Sequence, residues 1–353
     1  MSGGTWSRVR ALLLRRRAAA FLAPVVLLVA LAFAWPSLDA WARSAALFSD
    51  VIVRAPVRPI TWFTDAPSRE TLEWGEQGGH GLLTRPANGR SAPALVLILG
   101  ADPAAADDRR VVRLVDSLAR TGFVVLFPLS DELDAKHVGA VEVERLVGAF
   151  EALERDPGVR ADRIAFVGLS AGGSLAIVAA SDERIAARVW SVTAIGPYFD
   201  AVSLAASALA GAYRSPGGIV PWTPERVTVE VVQQTLLSSL PDGQRQQLAR
   251  ADLDTALSLL HELPAEQQAA LRAVSPGTSI DGLRAPLYLL HDRNDRFVPW
   301  TESEALAAAH QPAVYHRLDL FEHVEPQPGN VPVLLRDGWR LLRLFARIYR
   351  DAR

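Results

Sequence analysis

The stretch RIAFVGLSAGGSLAIVAA, residues 163–180, constrains the fold of this chain more than any other. Its first part is β-branched and aromatic, which is typical of a buried parallel strand, and the small residues after Ser170 favour a helix packed closely on a sheet. Gly168 and Gly172 flank Ser170 in a G-x-S-x-G pattern, and glycine at these two places permits a sharp, strained turn. The sequence therefore predicts strand, turn and helix, with the Ser170 hydroxyl presented at the carboxyl edge of a sheet.

Strands and helices alternate on both sides of this turn. Units of about 30 to 40 residues predict right-handed crossovers and a doubly wound, mostly parallel sheet of the α/β class. Two short strands around a glycine-rich turn predict an antiparallel entry to that sheet. A terminal helix is predicted over residues 331–350. The predicted strands are residues 70–74, 80–84, 94–100, 123–128, 164–167, 187–195, 285–291 and 313–320.

The alternation breaks between Tyr198 and Leu283, where helices are predicted over 224–240, 243–262 and 265–273. We interpret this insertion as a helical cap, because an insertion after the strand that follows the turn would lie over the carboxyl edge of the sheet. A helical appendage remote from that edge is the alternative. The predicted organisation is 1–17 basic, 18–35 apolar, 36–69 linker, 70–198 first part of the core, 199–283 cap and 284–353 second part of the core.

The amino terminus carries a membrane-directed signal. Residues 1–17 contain five arginines and no acid, and residues 18–35 are apolar throughout. The apolar run is near the lower limit of about 17 residues for a spanning helix, and the arginines favour a cytoplasmic amino end. We therefore predict a retained single-pass anchor with the remainder of the chain outside the cytoplasm. A signal peptide cleaved near Ala42, at Ala40-Trp41-Ala42, is the alternative.

The amino-acid composition excludes several kinds of functional site. The formal net charge of −2 gives no global basic field that would favour nucleic acid as a partner. The absence of cysteine excludes disulfides, thiolate metal sites and cysteine nucleophiles. The seven histidines are scattered, and no G-x-G-x-x-G or phosphate-binding loop occurs, so we expect no metal and no cofactor.

Acyl transfer by a serine requires a base that accepts its proton and a carboxylate that holds the base in the correct tautomer. Asp295 and His323 both follow predicted strands, and in a doubly wound sheet those strands end at the same edge as Ser170. The first amide of the following helix, that of Ala171, would point to the place where an oxyanion forms. Asp200, which follows the strand after the turn, is a second candidate for the carboxylate.

These motifs resemble those of the α/β-hydrolases, specifically the dienelactone hydrolase-like and prolyl-peptidase-like branch. GLSAGG matches the nucleophile turn, HDRNDRFVP resembles the H-G-x-x-D-x-x-V-P acid loop, and FEHV matches the turn that carries the histidine. The resemblance covers roughly residues 70–350, with the cap unmatched. It implies that Ser170 is the nucleophile, His323 the general base and acid, and Asp295 the orienting carboxylate.

Two positions depart from the pattern of that family. Relatives often have His-Gly where this chain has Leu99-Gly100, so the second oxyanion donor would be a backbone amide, that of Ala101. Asp292 replaces the glycine that usually follows His291, which adds a second carboxylate near the acid loop. His291 itself is expected to form hydrogen bonds within that loop. The remaining candidates, expected to be non-catalytic, are His80, His137 and His310.

The sequence thus predicts a membrane-anchored serine hydrolase that cleaves a small carboxylic ester through an acyl-enzyme on Ser170, with water as the second acceptor. Acyl transfer or peptide cleavage by the same three residues is the nearest alternative. A catalytically silent binding protein with this fold is an alternative of a different class, because a fold alone does not fix a function.

Overall fold

The computed structural model describes residues 36–54, 57–101, 108–323, 325–326 and 330–353 of the 353-residue chain. The predicted membrane segment, 18–35, and the basic segment before it lie outside this part. Within it, no helix combines the length and the apolarity needed to cross a membrane. The chain forms two compact units. Of the described residues, the small unit contains 36–45 and Leu341–Arg353, and the large unit runs from Ala46 to Arg340.

Elements are numbered in chain order. The strands are β1 Ser68–Trp74, β2 Gly79–Arg85, β3 Ala92–Ile98, β4 Val124–Leu129, β5 Val159–Leu169, β6 Val192–Ile195, β7 Ala212–Ser215, β8 Gly218–Pro221, β9 Leu287–Asp292, β10 Ala313–Leu318, β11 Phe321–Glu322 and β12 Glu325–Pro326. The helices are α1 36–47, α2 Arg109–Arg120, α3 Asp131–Asp134, α4 Ala140–Glu154, α5 Ala171–Ala180, α6 Ala201–Ala210, α7 Arg226–Thr235, α8 Asp242–Leu248, α9 Leu253–His261, α10 Ala265–Ala273, α11 Trp300–Ala309 and α12 Val331–Asp351.

The central sheet has eight strands in the order β1-β2-β4-β3-β5-β6-β9-β10. β2 is antiparallel to both β1 and β4, and all other neighbours are parallel. This confirms the predicted α/β class, the mostly parallel sheet and its antiparallel entry. Leu169 pairs with Ile195, and Ile195 pairs with Leu290. The carboxyl ends of β5, β6 and β9 therefore meet at one edge of the sheet.

The core lies between this sheet and its flanking helices. All ten residues of α5 are buried, which explains its lack of charged side chains. Phe150 of α4 stacks on Phe166 of β5, with ring centroids 6.0 Å apart, and both side chains are fully buried. Burying a phenylalanine side chain stabilises a fold by about 1.5 to 3 kcal/mol. Such packing fixes β5 and α5, and hence the turn between them.

Helices α6 to α10 form the inserted cap, which has its own apolar cluster around Trp222 and Leu260. The predicted helix 243–262 is two helices, because Asp252 accepts a hydrogen bond from the Thr255 amide and begins α9. The predicted helix 224–240 ends early, at Thr235. The hairpin of β7 and β8 was not predicted, since none of its residues is buried and its strands therefore carry no alternation of buried and exposed residues.

The predicted linker, residues 36–69, contains helical elements in its described part. Helix α1 continues into a π-helical turn at Phe48–Ile52, and a 3-10 turn covers Pro59–Trp62. Asp50 is 1% exposed and lies 2.6 Å from the guanidinium groups of both Arg58 and Arg113. A buried carboxyl keeps its charge only where pairing of this kind compensates for the loss of water. The ion pair with Arg113 connects the turn to α2. Its two residues are far apart in sequence, so no local pattern predicts the contact.

Candidate active site

Ser170 lies at the tight turn between β5 and α5, with φ 55° and ψ −131°. Two glycines make this turn possible. A Cβ at Gly168 would lie 2.4 Å from the Gly172 carbonyl oxygen, and a Cβ at Gly172 would lie 2.2 Å from that of Leu99. The Ser170 amide donates a 2.7 Å hydrogen bond to the Ile195 carbonyl of β6. A positive φ at a non-glycine residue costs about 1 to 3 kcal/mol and persists only where the surroundings enforce it.

Gly100, which follows β3, lies against the serine. A Cβ at Gly100 would be 2.8 Å from the Ser170 Cβ and 3.2 Å from its Oγ, so only glycine fits beside the hydroxyl. Ala101 follows Gly100 and Ala171 follows Ser170, and both alanines, whose amides are the predicted oxyanion donors, are buried. The serine is therefore enclosed by backbone from the end of β3 and the start of α5.

Asp295 and His323 form a hydrogen-bonded pair, with Oδ2 2.7 Å from Nδ1. Both side chains are buried. Because a carboxylate can only accept, Nδ1 carries the proton and Nε2 is left with its lone pair. This is the tautomer that can take a proton from a serine hydroxyl. The other carboxylate oxygen, Oδ1, accepts from the amides of Phe297 at 2.7 Å and Val298 at 3.0 Å.

A second histidine contacts the same carboxylate. Nε2 of His291 is 2.9 Å from the Val298 carbonyl and 3.3 Å from Oδ2 of Asp295. Its Nδ1 lies 2.7 Å from the Ser303 hydroxyl. The carbonyl can only accept, so Nε2 donates and Nδ1 accepts from the serine. The sequence predicted a hydrogen-bonding role for His291 within the acid loop, but its contact with the Asp295 carboxylate depends on the folded loop.

The surroundings of Asp295 keep it ionised. Burial by itself raises the pKa of Asp295, but the charge of His323 and the hydrogen bonds from His291 and His323 outweigh it and hold the pKa well below its usual range. The carboxylate thus stays charged throughout the range in which a histidine titrates. It can therefore stabilise a positive charge that forms on His323.

The His323 ring is held from two further directions. The Phe297 ring stacks on it, with centroids 4.3 Å apart and an interplanar angle of 14°. Gly196, at the end of β6 with φ 64°, lies so close that a Cβ there would be 3.0 Å from Cε1. Since the Ser170 amide bonds to the residue before Gly196, the serine and the histidine both lie beside the carboxyl end of β6. The structure therefore brings Ser170, Asp295 and His323 to one end of the sheet.

Asp200, the other candidate carboxylate, has a different role. Its Oδ1 accepts hydrogen bonds from the amides of Val202 at 2.6 Å and Ser203 at 2.9 Å. Asp200 is thus the N-cap of α6, a position that favours aspartate. The structure pairs His323 with Asp295 and assigns Asp200 to the start of the cap.

The cap is hydrogen-bonded to the acid loop. The Trp222 indole donates to the Asp295 carbonyl at 3.1 Å, and the Thr228 hydroxyl donates to the Phe297 carbonyl at 3.0 Å. The Glu225 amide donates to the carbonyl between them, at 2.7 Å. Three successive carbonyls of the acid loop are thus bound by one segment of the cap, so the position of the loop depends on the cap.

Asp292, which replaces the usual glycine, is 2% exposed at the end of β9. Its Oδ1 accepts from the Asn294 amide at 2.7 Å. Its Oδ2 is buried with no hydrogen-bond partner among the described residues. Burial, together with the negative charges of Asp295 and Asp319, raises the pKa of Asp292 to about 6. The ionised form of this carboxyl is therefore poorly stabilised by the fold.

We expect Asp292→Asn to stabilise the protein at pH 8 by about 2 kcal/mol and to have little effect at pH 4. A carboxyl whose pKa is raised in the folded state binds more protons there than in the unfolded state. Wild-type stability therefore falls as the pH rises from about 4 through 6. Urea unfolding at both pH values measures the effect, with Asp281→Asn as an exposed control. An equal gain at both pH values would show that the carboxyl charge is not its cause.

A small cavity of about 50 Å³ lies beside Gly100, between the ends of β3 and β4 and helix α4. Its lining is mainly apolar, with Leu129 and Leu146 among the side chains. Glu142 adds a buried carboxyl that accepts from the Ser130 hydroxyl at 2.8 Å and from Arg145 at 2.6 Å. Burial raises the pKa of Glu142. A cavity of this volume has space for only a few non-hydrogen atoms.

Among the described residues, no group of three or more histidine, aspartate or glutamate side chains is arranged to hold a metal ion. The site instead contains a hydroxyl, an imidazole and a carboxylate, from Ser170, His323 and Asp295. Nucleophilic attack with proton transfer is the chemistry that such a set can perform.

No protein-family model matches this sequence, and no curated protein is similar to it in sequence. Solved structures do match its fold. An acylaminoacyl peptidase in complex with Z-Gly-Gly-Phe-chloromethyl ketone superposes with a TM-score of 0.54 at 15% identity, over 81% of this chain and 41% of the other. A Mycobacterium tuberculosis puromycin-hydrolyzing peptidase gives 0.53 at 19% identity, over 81% and 39%. The 2,6-dihydroxy-pseudo-oxynicotine hydrolase gives 0.52 at 14% identity, over 81% and 68%.

At these identities the similarity concerns the fold, and this chain spans less than half the length of either peptidase. The chain has the α/β-hydrolase fold. The fold implied by its three motifs is thereby confirmed, while the activity of each similar protein remains a property of that protein.

Proposed function

We propose that this protein is a serine hydrolase that cleaves carboxylic esters of small molecules. The observation that carries the proposal is the 2.7 Å hydrogen bond between Asp295 and His323, next to a strained serine turn enclosed by glycines. A structural serine would not require a positive φ, and a structural histidine would not require a buried carboxylate that orients it.

The proposed reaction has two halves. Nε2 of His323 accepts the Ser170 proton as Oγ attacks the ester carbonyl, and the resulting oxyanion faces the amides of Ala171 and Ala101. The imidazolium then donates its proton to the leaving alcohol, and the acyl-enzyme remains on Ser170. In the second half His323 takes a proton from water, the hydroxide attacks the acyl carbon, and the proton returns to the serine as the acid leaves. Asp295 stabilises the imidazolium in both halves.

The small cavity beside Gly100 is lined by neither Ser170 nor His323 and has no part in the proposed reaction. Peptide cleavage is the second candidate, because two of the similar structures are peptidases by description. Acyl transfer to an alcohol or amine differs only in the acceptor that replaces water.

We further propose that residues 18–35 hold the protein in a membrane with its amino end in the cytoplasm and the hydrolase domain on the other side. The five arginines that precede this apolar run support the orientation. Cleavage near Ala42 would instead release the domain. Sequencing the amino terminus of the protein from isolated membranes distinguishes a retained anchor from a cleaved signal peptide.

Labelling with a fluorophosphonate probe tests the proposed function. The detergent-solubilised full chain should react, and peptide mapping should place the adduct on Ser170, because the probe requires an activated serine nucleophile. Turnover of a short-chain nitrophenyl ester compared with the corresponding nitroanilide separates ester from amide cleavage. Absence of labelling in the folded protein would favour the silent binding protein.

A further inference from the structure

In the described part of the unit Ala46–Arg340, the exposed large apolar side chains lie in two segments, with one exception. The exception is Ile219, on the cap hairpin. The most exposed are Phe63 at 83% and Leu335 at 70%. We call the set the apolar face; its members are Val53, Val57, Trp62, Phe63, Val331, Leu335 and Trp339. Scattered apolar residues need no explanation, but residues gathered in this way indicate an interaction surface.

The two segments of the apolar face border the same structural element. The ring of Phe48 packs on Gly338 of α12, where an added Cβ would lie 2.8 Å from it. The π-helical turn that begins at Phe48 also packs on α2, as does the 3-10 turn Pro59–Trp62. The ion pair between Asp50 and Arg58 ties these two turns together. Each segment therefore has one end at the turn that begins at Phe48: Val53 follows that turn in the chain, and Trp339 follows Gly338, on which Phe48 packs.

Helix α12 gives this surface its charge. Val331, Leu335 and Trp339 are spaced by four residues and form one stripe along the first half of the helix. In the part of the helix that belongs to this unit, the chain has two arginines, Arg336 and Arg340, and one aspartate, Asp337. Both arginines are exposed and pair with the buried Asp337, and Arg336 also pairs with Asp319. An exposed apolar stripe next to arginines is typical of helices that lie on a membrane surface.

We propose that the apolar face docks on the surface of a bilayer that contains anionic lipid. Tryptophan and phenylalanine would enter the boundary between headgroups and acyl chains, and the arginines would contact phosphate groups. Position in the chain supports lipid as the partner. Val53 is 18 residues beyond the apolar run that ends at residue 35, a span of at most about 60 Å. A chain anchored by that run would hold the apolar face close to the bilayer at high effective concentration.

The proposal rests on the proposed anchor at residues 18–35 but not on the hydrolase activity, and its test does not measure activity. Because the chain contains no cysteine, a single cysteine can be introduced and labelled with an environment-sensitive fluorophore. The full-length variants are Leu335→Cys and Phe63→Cys, with Ile219→Cys as the exposed control on the cap. Each is bound to phosphatidylcholine vesicles with or without phosphatidylglycerol, and vesicle-bound protein is isolated by flotation.

We expect the labels at positions 335 and 63 to shift to shorter emission wavelength and to be quenched by lipids with brominated acyl chains. The label at position 219 should do neither. Adding Arg340→Glu to the Leu335→Cys variant should reduce quenching severalfold on anionic vesicles only. Three equally unquenched labels on vesicle-bound protein would overturn the proposal. A wavelength shift without bromine quenching would also overturn it, and would indicate a protein partner or a second copy of the chain.

Discussion

Replacing Ser170 with alanine should lower kcat on a short-chain ester by roughly 10⁶-fold and abolish fluorophosphonate labelling. The serine oxygen is the atom that bonds to the acyl carbon in the proposed reaction, so no neighbouring group can replace it. Residual hydrolysis above the rate in water would come from the oxyanion amides and from substrate binding. Alanine keeps the Cβ and leaves the glycine contacts unchanged, so the turn at φ 55° should persist.

The matched control is Ser181→Ala, at the other end of α5. Ser181 is buried, and its hydroxyl donates to the Ile177 carbonyl at 2.7 Å, far along the helix from the turn. Its removal should cost at most about 1.5 kcal/mol of stability and leave labelling intact. A Ser170→Ala protein that folds and still hydrolyses esters at a tenth of the wild-type rate would place the nucleophile elsewhere.

The turn around Ser170 could be predicted because its constraints are local. Gly168 and Gly172 lie two residues on either side of the serine, and the strand and helix follow from runs of adjacent residues. The sheet was equally accessible, since each strand is a short apolar run and parallel strands must end at a common edge. The positions of Asp295 and His323, each after a strand, predicted that the two residues lie close together. Those positions alone did not predict the hydrogen bond between the two side chains.

The contacts that hold the acid loop could not be predicted in the same way. Trp222 and Thr228 bind carbonyls of residues about 70 positions later in the chain, and no pattern within either segment signals the other. The contact between His291 and the Asp295 carboxylate likewise depends on the curvature of the loop. The pairing of Asp50 with Arg113 was missed for the same reason, because local patterns report periodicity while ion pairs depend on tertiary packing.

Asp295→Asn should lower kcat on the order of 10⁴-fold, the loss known when the triad carboxylate of a serine protease is replaced by its amide. The structure explains why the substitution cannot be accommodated. Oδ1 of Asp295 accepts from the Phe297 and Val298 amides, so the asparagine carbonyl must remain there. Its NH₂ group then takes the place of Oδ2 and donates to Nδ1 of His323. The imidazole proton moves to Nε2, and the ring can no longer accept the proton of Ser170.

Asp200→Asn is the matched comparison, because Asp200 was the other carboxylate that the sequence offered. Asparagine is as good an N-cap as aspartate, and its carbonyl can accept the same two amides of α6. We therefore expect kcat to fall tenfold or less. Both variants should first be shown by circular dichroism to fold like the wild type, and kcat is then measured on the same ester. If Asp200→Asn proves crippling while Asp295→Asn keeps most of the activity, the 2.7 Å bond to His323 is not the catalytic one, and the acid belongs to the end of β6.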